Sequence, residues 1–126
     1  MLFWLAIAAG GAVGAMARYA LTIWVDQALR EAWPWGTFVV NATGSLLIGI
    51  AIMYFQRIPS SPEARALIIV GGLGGFTTFS TYTYETLMLI RDGDVLRGVL
   101  YAMGSLLVGV GAAALGMVAG GVLFNS

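Results

Sequence analysis

Four long apolar runs, separated by three short polar connections, account for nearly the whole chain. The first extends from about residue 2 to 25, the second from 36 to 56, the third from 64 to 91 and the fourth from 95 to 124. Each is long enough to cross about 30 Å of hydrocarbon at about 1.5 Å per residue. The pattern predicts an all-α membrane protein: one domain, residues 1–126, with four transmembrane helices. Trp24, Trp33 and Trp35 flank the first connection, where indole rings anchor a helix end at the interface. Ser61 and Pro62 read as the cap and first position of the third span. Ala15-Met16-Ala17 resembles a signal-peptide cleavage site. Residues 1–10 carry no basic side chain, however, and all that follows is equally apolar, so the first run is read as a span. Within it Gly10 and Gly14 form a small-residue face, as Gly116 and Gly120 do in the fourth span.

The third run contains a discordant stretch, Gly71-Gly72-Leu73-Gly74-Gly75-Phe76-Thr77-Thr78-Phe79-Ser80-Thr81. Each glycine costs about 1 kcal/mol relative to alanine in a helix interior, and the hydroxyls compete for backbone hydrogen bonds. The expectation is a helix broken over residues 71–80, giving two half-spans of about 15 Å each. Irregular backbone at membrane depth is tolerated only inside protein or beside a watery cavity, which suggests an ion or solute path. Carbonyls left free around residues 71–74 suit a small cation, and donors left free near Thr78 to Thr81 suit an anion. Were two such breaks to meet on the axis of an antiparallel dimer, opposed carbonyls would suit a sodium-sized ion, because hard cations prefer oxygen.

Polar side chains recur inside the apolar runs. Thr37, Asn41 and Ser45 lie at four-residue intervals on one face of the second span, and Tyr101 and Ser105 pair similarly on the fourth. One reading is helix–helix glue; the other is the lining of a pathway facing the broken helix. Phe79, Tyr82 and Glu85 share a face of the second half-span. Such an aromatic pair is either packing or a way to offer an anion the positive ring edge without trapping it. Glu85 is either interfacial or paired with an arginine; a proton-coupling role is disfavoured, since it would be the lone acid. Arg18, buried in the first run, either snorkels to the interface or lends positive potential to a vestibule.

Composition narrows the function classes. The chain is 60% hydrophobic and 10% charged, with mean hydropathy +0.90. It has no cysteine and no histidine, and all six basic residues are arginines. Thiol chemistry, thiolate metal sites and the usual general base are absent, so an enzyme is not expected. Six acids balance the six arginines, which leaves no basic patch for nucleic acid. With four spans, Arg57 and Arg65 fall on one side of the membrane and Arg30, Arg91 and Arg97 on the other. So weak a bias has two readings: insertion in both orientations, which is favoured, or a topology fixed by something other than these short loops. Four thin helices offer little room for a pore, which points to a dimer, and insertion both ways would allow an antiparallel one.

The motifs resemble those of the fluoride-specific ion channels of bacteria, the Fluc or CrcB family. Gly-Ala-x-x-Arg-Tyr at 14–19, Gly-Thr-x-x-x-Asn at 36–41 and Gly-Gly-Phe-Thr-Thr-Phe-Ser-Thr at 74–81 occur in that order, and the likeness spans the whole chain. The resemblance implies a dual-topology antiparallel homodimer in the bacterial inner membrane, surrounded by lipid, passively exporting fluoride through two pores. It further implies a central structural Na⁺ on the backbone carbonyls of Gly74 and Thr77. By the same motifs Asn41, Thr37, Phe79 and Tyr82 belong to the fluoride pathway, Arg18 to its vestibule, and Tyr101 and Ser105 to a polar track. Thr78, Ser80 and Glu85 are further expected pathway residues. Two departures stand out: Tyr82 where the family usually has Phe, and Val108-Gly109 where the track would continue with a hydroxyl. The rival function is a small proton-coupled drug exporter of dual topology. That class needs a membrane-embedded acid in its first helix, which here has none before Asp26. A non-transporting assembly subunit is a third reading, but leaves a mid-membrane break unexplained.

Overall fold

The computed structural model describes residues 1–125; Ser126, the last residue of the expected domain, lies outside them. The described residues are all-helical, with four segments long and apolar enough to cross a membrane: Leu2–Leu29, Trp35–Arg57, Pro62–Arg91 and Val95–Leu123. We label the helices α1 (Leu2–Leu29), α2 (Trp35–Arg57), α3 (Pro62–Arg65), α4 (Gly74–Phe76), α5 (Phe79–Arg91) and α6 (Val95–Leu123). A π-helical segment, Ala66–Leu73, joins α3 to α4.

The first helix runs past the expected end at residue 25 to Leu29. Asp26 and Gln27 interrupt the apolar run without breaking the backbone, and the helix stops where Arg30 turns left-handed at φ 50°. The third span opens as its residue types require: Pro62 is the first helical residue and the Ser61 hydroxyl accepts the Ala64 amide at 3.1 Å.

The glycine-rich stretch departs from expectation. Gly71 to Gly75 are helical, and only Thr77 (ψ 157°) and Thr78 (φ −145°, ψ 118°) adopt extended backbone. The interruption is therefore two residues at 77–78 and not ten over 71–80. The glycines serve close packing instead. A Cβ on Gly10 would fall on the Leu67 carbonyl, one on Gly14 on the Gly72 carbonyl, and one on Gly71 on the Ile7 carbonyl. Where two helices touch backbone to backbone, dispersion contacts offset the poor helix propensity of glycine, and a helical backbone satisfies its own polar groups in lipid. The α2–α6 contact repeats the device, since Gly116 meets the Leu46 carbonyl and Gly49 the Ala113 carbonyl.

The interior is accordingly small and unlike that of a soluble domain. Its fully buried side chains include Val40, Tyr101 and Thr37, whereas Leu, Val and Met residues of α1 and α6 lie outside. Lipid, as apolar as leucine, gives no reason to hide leucine, so what goes inside is small or polar.

Candidate functional site

The site is built around the two extended residues. Leaving helical geometry strands the Thr78 amide and carbonyl, and Asn41 on α2 takes both. Its Nδ2 donates to the Thr78 carbonyl at 3.0 Å and its Oδ1 accepts the Thr78 amide at 2.8 Å. The side-chain amide thus pairs with a peptide group as a neighbouring strand would, in a medium where an unmet peptide group costs several kcal/mol. Thr78 then caps α5: its Oγ1 accepts the Thr81 amide at 3.2 Å and lies within 3.1 Å of Thr81 Oγ1 and 3.3 Å of Ser80 Oγ.

These bonds revise where free backbone groups lie. The carbonyls of Ile69 and Gly71 accept the Gly74 amide, and that of Leu73 accepts both the amide and the hydroxyl of Thr77. The expected cradle of carbonyls at 71–74 is therefore largely used by the helix itself. Among the expected donors at Thr78 to Thr81, the Thr78 and Thr81 amides are likewise committed. The first carbonyl released is that of Gly74, because the amide that a continuing helix would give it, Thr78 N–H, goes to Asn41.

Beside the interruption runs a groove of about 800 Å³, bordered by α2, the π segment, α5 and α6. Of the residues anticipated from sequence, Asn41, Gly74, Thr77, Thr78, Phe79, Tyr82 and Ser105 line it. Phe79 is 77% exposed and its ring packs on that of Tyr82 at 5.6 Å between centroids. Tyr82 in turn packs on Tyr101 at 5.6 Å, while its hydroxyl donates to the Ala102 carbonyl at 2.9 Å. Ser105 Oγ is buried with no hydrogen-bond partner among the described residues.

Thr37, Glu85 and Tyr101 form a second cluster, one layer behind. The Thr37 hydroxyl donates to Glu85 Oε1 at 2.8 Å and the Tyr101 hydroxyl to Oε2 at 2.7 Å. Neither Thr37 nor Tyr101 borders the groove, and both are buried. Glu85 thus pairs with two hydroxyls and not with an arginine; the only ion pair among the described residues is Arg97–Asp94 at 3.3 Å. Arg18 is half-buried on α1 and does not border the groove, and Ser80 is exposed at the start of α5.

Residues the sequence reading passed over complete the site. Thr83 and Thr86 line the groove, yet isolated threonines on an interfacial helix give no signal. Asp26 accepts the Gly36 amide at 2.8 Å, tying the end of α1 to the start of α2. Trp33, read only as an interfacial anchor, stands edge-on to Tyr101 at 5.6 Å and 88°. Gly44 is where the Thr77 methyl fits against α2, a contact that any side chain would block.

The whole arrangement offers amide and hydroxyl groups and aromatic edges, with no cluster of potential metal-binding side chains among the described residues. Comparison with known proteins points the same way. The chain is 48% identical over 120 residues to a "Fluoride-specific ion channel FluC" of Thermus thermophilus, covering 95% of this chain and 94% of the relative. It is 44% identical over 115 residues to the protein of that name from Acidobacterium capsulatum, with 90% and 92% covered. Another, from Magnetococcus marinus, is 46% identical over 115 residues, with 90% and 94% covered. The family model described as "CrcB-like protein, Camphor Resistance (CrcB)" matches residues 5–117, and the chain belongs to that family.

Proposed function

We propose that the chain is a fluoride-selective channel that lets fluoride leave the cell passively, working as an antiparallel homodimer of dual topology in the bacterial inner membrane. The observation that carries this reading is the groove along Asn41, Thr78, Phe79, Tyr82 and Ser105, whose polar groups are neutral. Fluoride is small and strongly hydrated, so a pore must replace its water with several donors, none strong enough to hold it. The second Nδ2 proton of Asn41 and the positive edges of two rings suit that requirement, with the Ser105 hydroxyl, buried and unpartnered, behind the groove surface. The Thr37 and Tyr101 protons point to Glu85, so these residues support the wall and leave solvation of the ion to the groove. A groove open on one side of a single copy, with Phe79 at its exposed edge, supports closure by a second copy.

A structural sodium ion fits the same region. Gly74 and Thr77 both border the groove, Thr77 is extended, and Asn41 relieves the Gly74 carbonyl of its helical donor. Those two carbonyls would hold the ion, and sodium would supply the positive charge that lets carbonyls of two copies approach each other. Asn41 and Thr78 keep the backbone extended there.

The test is efflux from liposomes containing the purified protein, following fluoride, chloride and internal pH in parallel. Fluoride loss with chloride retained and no obligatory proton movement is expected. Drug-dependent proton exchange without fluoride loss would assign the chain to the exporter class instead.

A further inference from the structure

Tyr82 is the residue at which this chain departs from the aromatic pattern it otherwise resembles, and its hydroxyl does not face the groove. It donates at 2.9 Å to the backbone carbonyl of Ala102 on α6, an oxygen already within reach of the α6 helical ladder. The ring also has two aromatic neighbours, Phe79 tilted at 44° and Tyr101 at 47°, each 5.6 Å away between centroids. Tyr101 is itself fixed, fully buried, with its hydroxyl on Glu85 at 2.7 Å. A phenylalanine ring here would have the two tilted ring contacts and no bond at its tip. Tyrosine adds a third point of attachment, a directed bond from the ring tip to the α6 backbone, which narrows the range of angles open to the ring.

We propose that the Tyr82 hydroxyl is a positioning group for permeation: by tying the ring to Ala102 it presents one fixed edge to the ion, so that fluoride is held more firmly and released more slowly. The inference rests on the channel reading given above. A preorganised edge solvates the ion without first having to be oriented, which lowers the fluoride concentration needed to occupy the groove. The same preorganisation slows departure, since conduction requires binding weak enough to leave. With its donor proton on Ala102, the Tyr82 oxygen has only lone pairs left to offer, and these repel an anion. The hydroxyl therefore acts through the ring and not on the ion.

The experiment is Tyr82→Phe in the full chain, reconstituted in liposomes, with fluoride efflux measured over a series of fluoride concentrations. The half-saturating concentration and the maximal rate should rise together, by about fivefold if the lost bond has the ordinary net strength of a neutral hydrogen bond. The rate at low fluoride and the retention of chloride should stay as in the parent. A merely structural defect would lower the maximal rate, so an unchanged curve or a lower maximum overturns the proposal. A second measurement reads the bond itself: a carbonyl-13C label at Ala102 alone should give an amide band at lower frequency in the parent than in Tyr82→Phe. No difference between the two would overturn the anchor whatever the flux. A parent that passes no fluoride would sink the channel reading and the positioning role with it, while the Ala102 band would still report whether the anchor exists.

Discussion

At the scale of single residues, the peptide group of Thr78 decides most of what the site is. Two side chains hold it: Asn41 through the backbone amide and carbonyl, and the threonine's own hydroxyl through the α5 cap. Asn41→Asp keeps the acceptor for the Thr78 amide but sets a carboxylate oxygen against the Thr78 carbonyl. It should abolish fluoride efflux, both by charge in the path and by repelling the peptide group. Asn41→Ala removes both bonds, which should cost about 1–3 kcal/mol for each buried group left unmet, read as a lower thermal midpoint in detergent. If Asn41→Ala melts like the parent, the amide does not hold the interruption. The cap allows a gentler comparison. Thr78→Val should lose about 1 kcal/mol and most of the flux, whereas Thr78→Ser, which keeps the oxygen, should retain both. Asn41 was visible in the sequence as a costly amide in an apolar run. Its partner was not, because pairing with a peptide group 37 residues away leaves no trace in local pattern.

At the scale of elements, α1 and the π segment are joined by glycine rather than by knobs and holes. Position 14 faces the Gly72 carbonyl with no room for a methyl group, while position 11, three residues away, has open space where a Cβ would stand. Gly14→Ala should therefore push the two helices apart and cost about 1–3 kcal/mol, as overpacking does, while Gly11→Ala stays within about 0.5 kcal/mol of the parent. Thermal unfolding of the two variants side by side checks this, and equal midpoints would mean that the α1 contact is slack. The same packing explains why the broken third span was legible in kind but not in place. Composition flags Gly71 to Gly75 as poor helix, and in water it would be right. Here Gly71, Gly72 and Gly75 meet a second glycine face, Gly10, Gly11 and Gly14, so the stretch stays helical and the chain yields at the first β-branched polar pair, Thr77-Thr78. Helix extents were easier to read, because a bilayer imposes length and apolarity together. Only the end of α1 was misjudged, where polar residues continue the helix beyond the lipid.

At the scale of the whole molecule, the distribution of charge carries the remaining argument. With helical segments Leu2–Leu29, Trp35–Arg57, Pro62–Arg91 and Val95–Leu123 as spans, Arg57 and Arg65 share one side while Arg30, Arg91 and Arg97 share the other. Two of these are neutralised or occupied locally: Arg97 pairs with Asp94, and Arg57 donates to the Gly121 carbonyl and to Asn125 near the end of α6. That leaves Arg65 on the first side against Arg30 and Arg91 on the other, a difference of one charge as in the full tally, and a bias small enough for two added arginines to override. Two arginines added to the connection at residues 58–61 should drive nearly all copies into one orientation. If the conducting unit is antiparallel, that variant alone should lose dimer and fluoride efflux. A variant with two arginines added at residues 92–94, biased the opposite way, should fail alone as well. Expressing the two together should restore both dimer and flux, since each then supplies the orientation the other lacks. Cross-linking in membranes and liposome efflux read the two quantities separately. Full flux from either biased variant alone would rule out the antiparallel unit, and loss without rescue on co-expression would place the damage in the loops themselves.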